Sequence, residues 1–466
     1  MAKITFLGAN QTVTGSRHLL EVDGTKILVD CGLFQGGKEN RLRNWDPFPV
    51  APGEIDRLLF THAHIDHTGY FPRFHRNGFG GPAHCTHASY DLIKILLRDS
   101  AHLQKEDAAW ANKKGYSKHK PALPLYTIED AENSLECFIP VHYGESLFFN
   151  NLRVKFKDAG HILGSAFVEI RTRMDDRETS RKIVFSGDIG RPEKPILRPP
   201  TQAYNVDYLI LESTYGNRLH VDEGLPEDAL ARVINESLAR GGVLVIPAFA
   251  VGRTQTLLYV IRELEEQGKI PVLPVFVDSP MAIESTKVFH KWITDLDLTS
   301  RVETLEGKQI FHPQRLRFCK TRDESKAINQ HKNRAIIISA SGMVSGGRIL
   351  HHLAARLPEP QNTILFIGYQ AEGTRGRAIL EGKPEVKIHG KYVPIKARIE
   401  NLSGYSGHAD YNELLAWLMG FNNKPKKTFL VHGEADSQKA MAAHIRQHFG
   451  WEVVIPKFGE TFELDV

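Results

Sequence analysis

Cysteine is scarce in this chain: four residues in 466, at Cys31, Cys85, Cys137 and Cys319. They are far apart and form no C-x-x-C pair. That spacing excludes a disulfide framework and a thiolate metal site, and it reads as four reduced thiols. Long hydrophobic runs are missing too. No apolar stretch approaches the roughly 18 to 20 residues that span a bilayer, so no membrane partner is expected. The opening Met1-Ala2-Lys3-Ile4-Thr5-Phe6 enters a strand pattern without a secretory apolar segment, which points to the cytoplasm. Strong charge of either sign is also absent. Lys and Arg number 59 against 55 Asp and Glu, a net charge of +4. This balance permits a polyanionic partner without demanding one. There is no internal repeat and no low-complexity tract.

What is present describes a soluble globular chain, with 41% hydrophobic and 24% charged residues. Its length exceeds one ordinary core, so two domains are expected. The first part is strand-rich. Short runs such as Ile4–Gly8, His18–Val22 and Lys26–Asp30 are divided by turn residues, including Asp23-Gly24. From about Asp207 apolar runs alternate with helical patterns: Pro226–Ala239, Val243–Ile246, Arg253–Glu266, Val275–Val277, Ala335–Ile338 and Ile364–Ile367. That alternation predicts a mostly parallel sheet flanked by helices. After about Ile395 short strands return, with two helices over Asp410–Met419 and Ser437–His448.

The most informative segment is His62-Ala63-His64-Ile65-Asp66-His67, directly behind the apolar Leu58-Leu59-Phe60. Three imidazoles and a carboxylate in six positions are ligands that zinc and similar divalent metals prefer. A strand ending in a tight turn would aim His62 and His64 at one point and Asp66 and His67 at a second. Such an arrangement suits two metals sharing a water. Asp30 ends another strand, where a carboxylate can orient a metal-bound histidine; by itself it reads as a turn residue. His161 stands between Gly160 and Gly164, and Asp188 lies in a glycine-flanked turn after Ile183-Val184-Phe185. With two oxygens, Asp188 is able to bridge two metals.

The order Asp30, H-x-H-x-D-H, His161, Asp188 resembles the metallo-β-lactamase superfamily of dinuclear metallohydrolases. The resemblance implies an αββα sandwich with metals at one edge. It implies that His62, His64 and His161 hold one metal, that Asp66 and His67 hold the other, and that Asp188 bridges. His432, at a strand end in Val431-His432-Gly433-Glu434, would complete the second set. His408, in Ser406-Gly407-His408-Ala409-Asp410, suits a general acid near the metals.

A long α/β insertion separates Glu212-Ser213-Thr214-Tyr215-Gly216 from Ser406-Gly407-His408. The combination resembles the β-CASP branch, the nucleic-acid nucleases related to the cleavage and polyadenylation endonuclease. Its acidic residue and two histidines match Glu212, His408 and His432. The resemblance implies an α/β metallo-β-lactamase sandwich over residues 1–210 and 396–466, with an inserted β-CASP domain over 211–395 closing on the metal face. Histidine at position 432 favours RNA, since DNA-repair members carry valine there. The second motif reads Ser-Gly-His where Ser-Ala-His is commoner, a swap expected only to loosen the backbone. Ending soon after the metal domain is complete, the chain looks like the compact bacterial form.

Two glycine-rich segments, Pro247–Gln255 and Ser339–Arg348, lead from strands into helices. Helix starts bind anions, so Arg253, Ser341, Gly342 and Ser406 are candidate phosphate contacts; Arg375 and Arg377 read equally as a solvated helix start. The implied mechanism is hydrolysis of RNA by water activated between two zinc ions, with manganese a permitted substitute. Asp66 orients the water, His408 protonates the leaving 3′ oxygen and Glu212 holds His408 or a metal ligand in orientation. Endonucleolytic cleavage is expected, with 5′-3′ exonuclease action allowed. The partner is single-stranded RNA, and a homodimer is permitted. The rival readings are a thioesterase- or lactonase-type metallohydrolase, a DNA nuclease and a non-catalytic RNA-binding subunit.

Overall fold

A computed structural model of the chain describes residues 2–115, 117, 119–173, 180–220, 225–297 and 309–466. The chain forms two compact units. One comprises Met1–Pro192, Pro199–Leu219 and His408–Val466; the other comprises Glu193–Arg198 and His220–Gly407.

Strands of the first unit run from β1 (Ala2–Phe6), β2 (His18–Val22), β3 (Thr25–Val29), β4 (Arg57–Leu59), β5 (Ala83–Thr86) and β6 (Phe138–Val141) to β7 (Ser146–Phe149), β8 (Leu152–Asp158), β9 (Ala166–Arg171), β10 (Lys182–Phe185) and β11 (Tyr208–Glu212). The second unit holds β12 (Val243–Pro247), β13 (Pro274–Val277), β14 (Arg315–Phe318), β15 (Ala335–Ser339), β16 (Thr363–Phe366), β17 (Glu385–Ile388), β18 (Lys391–Pro394) and β19 (Arg398–Asn401). The chain then returns to the first unit with β20 (Lys427–Val431), β21 (Val453–Val454) and β22 (Thr461–Leu464).

The first unit contains two seven-stranded sheets, ordered β22-β1-β2-β3-β4-β5-β6 and β21-β20-β11-β10-β9-β8-β7. Their inner faces share one core. Ile4, Phe6, Leu20, Ile27 and Val29 of the first sheet join Val154, Phe156, Val168, Ile170, Phe185 and Phe429 of the second. Alternation of side chains along each strand produces this face, and each fully buried aliphatic or aromatic side chain contributes about 1.5–3 kcal/mol. The outer face of the second sheet (Phe167, Val184, Leu209, Leu430) packs on the helices Tyr411–Met419 and Ala435–Phe449 through Leu414, Trp417, Met441 and Ile445. Beyond the first sheet, Phe71 of the helix Phe71–Arg76 lies 5.2 Å from Phe60 and 5.3 Å from Phe138, ring centre to ring centre. The layers are therefore helix, sheet, sheet, helix. At the β2–β3 hairpin Asp23 and Gly24 both take positive φ (46° and 86°), the two-residue turn that Asp-Gly favours.

The second unit is a six-stranded sheet ordered β14-β13-β15-β12-β16-β19, all pairs parallel, with the separate hairpin β17–β18. Every residue of β12 and β15 is buried, as expected of parallel strands covered on both faces. The boundaries expected at 211 and 395 differ from those found. β11, with Glu212, pairs with β10 and β20 in the first unit. β19, beyond Ile395, pairs with β16 in the second. Short apolar strands look alike in either sheet, so pairing decides their membership. A long helix, His87–Lys114, is closed by Gly115 at φ 65°.

Candidate metal centre

Strand ends build this site. β3 delivers Asp30, β4 delivers His62 and His64, β10 delivers Asp188, β11 ends in Glu212 and β20 delivers His432. β3–β4, β10–β11 and β11–β20 are parallel pairs, so their carboxyl ends emerge side by side, where such sheets place ligands. Asp30 and His432 both take left-handed backbone, φ 60° and 48°. Such conformations cost about 1–3 kcal/mol each and gather at functional sites.

The tight turn expected in the histidine motif is a short helix, Ile65–Thr68, with His64 as its cap residue. Thr68 Oγ1 donates to the carbonyls of Ala63 and His64 at 3.1 and 3.0 Å. The backbone N–H of Ser16 donates to Asp66 O at 2.8 Å, and that of Cys31 to His67 O at 2.7 Å. Gly32 lies so close that a Cβ there would sit 1.6 Å from the Asp66 carbonyl oxygen. Only glycine lets the two segments meet at that distance.

The helical turn divides the donors. His62, His64, His161 and Asp188 form one group, and Asp66, His67 and His432 another. In the first, His64 Nδ1 lies 3.1 Å from His62 Nε2 and 3.2 Å from His161 Nε2. In the second, His67 Nε2 lies 3.2 Å from His432 Nε2, and Asp66 Oδ2 is 3.5 Å from that atom. Asp188 stands between the groups. Its Oδ2 is 3.4 Å from His62 and 3.5 Å from His161, and its Oδ1 is 3.3 Å from His67 and 3.5 Å from His432. Oδ1 is buried and, among the described residues, has no hydrogen-bond partner. Facing imidazole nitrogens and a buried carboxylate oxygen without a donor fit a divalent cation, and the His/Asp donor set matches zinc-type ligation.

Burial holds His62 and His161 well below the usual imidazole range and His64 at about 4, so these rings stay neutral with a lone pair available. At His67 burial acts the same way, but the Asp188 and Asp30 carboxylates outweigh it and raise the ring well above that range. Asp188 is resisted by burial and held far below the carboxylate range by His432, His67 and His62. Asp30 Oδ2 lies 2.7 Å from His67 Nδ1, a carboxylate–histidine pairing that turns Nε2 inward.

Glu212 and His408 form the adjoining pair. Glu212 is fully buried and accepts from the Ile189 N–H at 2.5 Å and Thr214 Oγ1 at 2.6 Å. His408 Nδ1 lies 3.0 Å from Glu212 Oε2 and 3.8 Å from Asp188 Oδ2. A β-bridge between Gly190 and His408 fixes the backbone.

The four phosphate candidates belong to the second unit. Arg253 opens the helix Arg253–Glu266 behind Gly252. Ser341 Oγ accepts from the Ser345 N–H at 3.0 Å. Gly342 packs on the Phe249 ring and its carbonyl accepts from Gln370 Nε2. Ser406 is buried, its N–H donating to Ser403 O. Two threonines escaped the sequence reading. Thr61 Oγ1 donates to Asp30 at 2.9 Å and sits 3.1 Å from His62 Nδ1. Thr214 Oγ1 joins Glu212 to His432 Nδ1, the latter at 3.1 Å. Thr61 precedes His62 and Thr214 follows Glu212 by two, so proximity to the motifs was the available signal.

Residues 15–143 match the metallo-β-lactamase superfamily, 254–379 the Beta-Casp domain, and 392–456 the Zn-dependent metallo-hydrolase RNA specificity domain. Ribonuclease TTHA0252 of Thermus thermophilus is 36% identical over 458 residues, covering 98% of this chain and 99% of its own. The chain belongs to the β-CASP family of the metallo-β-lactamase superfamily. The β-CASP relatives include an RNase J-like protein of Methanocaldococcus jannaschii, 31% identical over 98% of both chains. They also include the transcription termination factor FttA of that organism, 30% identical over 97% of this chain and 70% of its own. A solved protein of unknown function from Enterococcus faecalis V583 shares the fold at 12% identity and TM-score 0.55, covering 99% of this chain and 100% of its own. Among the described residues no helix is long and apolar enough to cross a membrane.

Proposed function

We propose that this β-CASP chain is a ribonuclease that hydrolyses the phosphodiester bonds of single-stranded RNA with two divalent cations, zinc by ligand type. The observation that carries the reading is Asp188, whose two oxygens face separate histidine groups. His62, His64 and His161 would hold one cation, Asp66, His67 and His432 the other, and Asp188 both. When bound, the cations supply a nucleophile drawn from water near neutral pH and positive charge for the phosphoryl oxygens.

The chain's own residues supply the rest. Asp66, a fifth exposed, accepts a hydrogen bond from the attacking water and orients it. Asp30 and Thr61 fix the tautomer of His67. Glu212 accepts the Nδ1 proton of His408 and so orients the ring, whose Nε2 protonates the departing 3′ oxygen. Cleavage then leaves a 5′-phosphate and a 3′-hydroxyl, and the RNA 2′-hydroxyl takes no part in the chemistry. The preference for RNA follows from His432 and from relatives named as ribonucleases.

Incubation with 5′- and 3′-end-labelled RNA, with and without chelator, tests this. Chelator-sensitive fragments bearing 5′-phosphates are expected. Fragments ending in cyclic phosphate, or cleavage indifferent to chelator, would overturn the reading.

A further inference from the structure

The hairpin β17–β18 stands apart from the six-stranded sheet and has two unlike faces. Val386, Ile388 and Val393 point inward and are buried with Ile349, Leu353 and Ile379. The other face carries Lys387 directly opposite Tyr392. Tyr392 is 65% exposed, with Lys387 Nζ 5.8 Å from its ring centre. Between Lys383 and Lys396 the chain has four lysines (Lys383, Lys387, Lys391, Lys396) against one acid, Glu385. All four are exposed, and among the described residues none is in an ion pair.

The tip of the hairpin is held at a particular edge. Arg375 Nε donates to Lys387 O at 2.8 Å, and its Nη1 donates to Ser345 O at 3.0 Å. His389, in the turn, stacks on His351 with ring centres 4.5 Å apart. Ser345 follows β15, His351 lies in the helix that continues from it, and Arg375 opens the helix after β16. The tip therefore lies at the carboxyl ends of the parallel strands, where sheets of this class take ligands. Arg375 itself spends its guanidinium on backbone carbonyls, so it secures the hairpin and leaves the lysines to meet a partner.

We propose that the open face of this hairpin binds single-stranded RNA outside the metal centre. Lys387 meets a backbone phosphate, and Tyr392 beside it stacks on a base. Unpaired cations beside an exposed aromatic ring are what sequence-tolerant single-strand binding requires. An acidic protein segment would match the charge but would have no use for an open ring face. The inference rests on the ribonuclease reading and deepens it.

The test is fluorescence anisotropy of a labelled, cleavage-resistant phosphorothioate oligouridylate on the zinc-loaded full-length protein. Tyr392→Ala should weaken binding about fivefold or more, and Tyr392→Phe should restore it. Lys387→Gln should flatten the dependence of log affinity on log salt by roughly 0.7. Affinities and slopes equal to those of the unaltered chain would overturn the assignment, as they would if the face serves an acidic protein. In that case cleavage of end-labelled RNA still stands, and only the hairpin is wrong. A chain that neither binds nor cleaves RNA sinks both readings.

Discussion

Each unit buries an aspartate–histidine cluster at the carboxyl ends of its parallel strands, and the two clusters are wired in opposite ways. In the second unit Asp278, just after β13, is fully buried. Its Oδ2 lies 2.7 Å from His352 Nε2 and accepts from Ser325 Oγ at 2.6 Å, and its Oδ1 accepts from Arg348 Nη1 at 2.8 Å. Arg348 continues to the carbonyls of Cys319 and Lys320. The protein supplies its own cation there, and both carboxylate oxygens are satisfied. In the first unit, among the described residues, no lysine or arginine pairs with Asp188, and its Oδ1 has no hydrogen-bond partner. The same residue types make a structural clamp where a guanidinium closes the cluster, and a seat for an external ion where only imidazoles surround it.

The comparison can be broken most forcefully at Asp188. Asp188→Ala removes the group facing both histidine sets. Zinc measured by elemental analysis should fall, and RNA cleavage should drop by about 10³-fold or more; full zinc content with normal turnover would remove Asp188 from the metal site. His408→Ala should reduce cleavage by about 10²–10⁴-fold while zinc content stays unchanged. Parallel loss of zinc would make His408 a ligand instead of an acid.

The opposite behaviour is expected at the closed cluster. Asp278→Ala strands the buried His352 and the half-buried Arg348 and should cost about 3–5 kcal/mol in denaturant unfolding, with zinc content unaltered. Burial pushes the Asp278 carboxyl upward, but His352, Ser325 and Arg348 outweigh it and hold it below the usual range. Its stabilisation is thus complete above the ordinary carboxylate value of about 3.9. It disappears as pH falls through the lower folded value. The gap between the unaltered chain and Asp278→Ala should narrow only in that acid window; a gap independent of pH would assign the stabilisation to packing.

The contrast also explains what the sequence disclosed. His62, His64, Asp66 and His67 were legible because one strand end and one helical turn carry all four, so spacing alone implied convergence. Glu212, His408 and His432 emerged from the resemblance, since three distant segments meet through the pairing of β11 with β20 and the Gly190–His408 and Tyr215–Asp410 bridges. Alternation from Asp207 onward foretold a parallel sheet, but the assignment of β11 and β19 depended on neighbours no local pattern records. The segment Ser339–Arg348 reads as a phosphate cradle by composition; its arginine is instead committed to Asp278, a residue with no motif around it.

His432 closes the donor set from the end of β20, on a strand made long after the H-x-H-x-D-H segment. Asp30, His62, His64 and His67 all precede it by most of the length of the chain, and the acid His408 also comes late. A chain cut short anywhere before β20 therefore lacks the distal histidine of its second donor group.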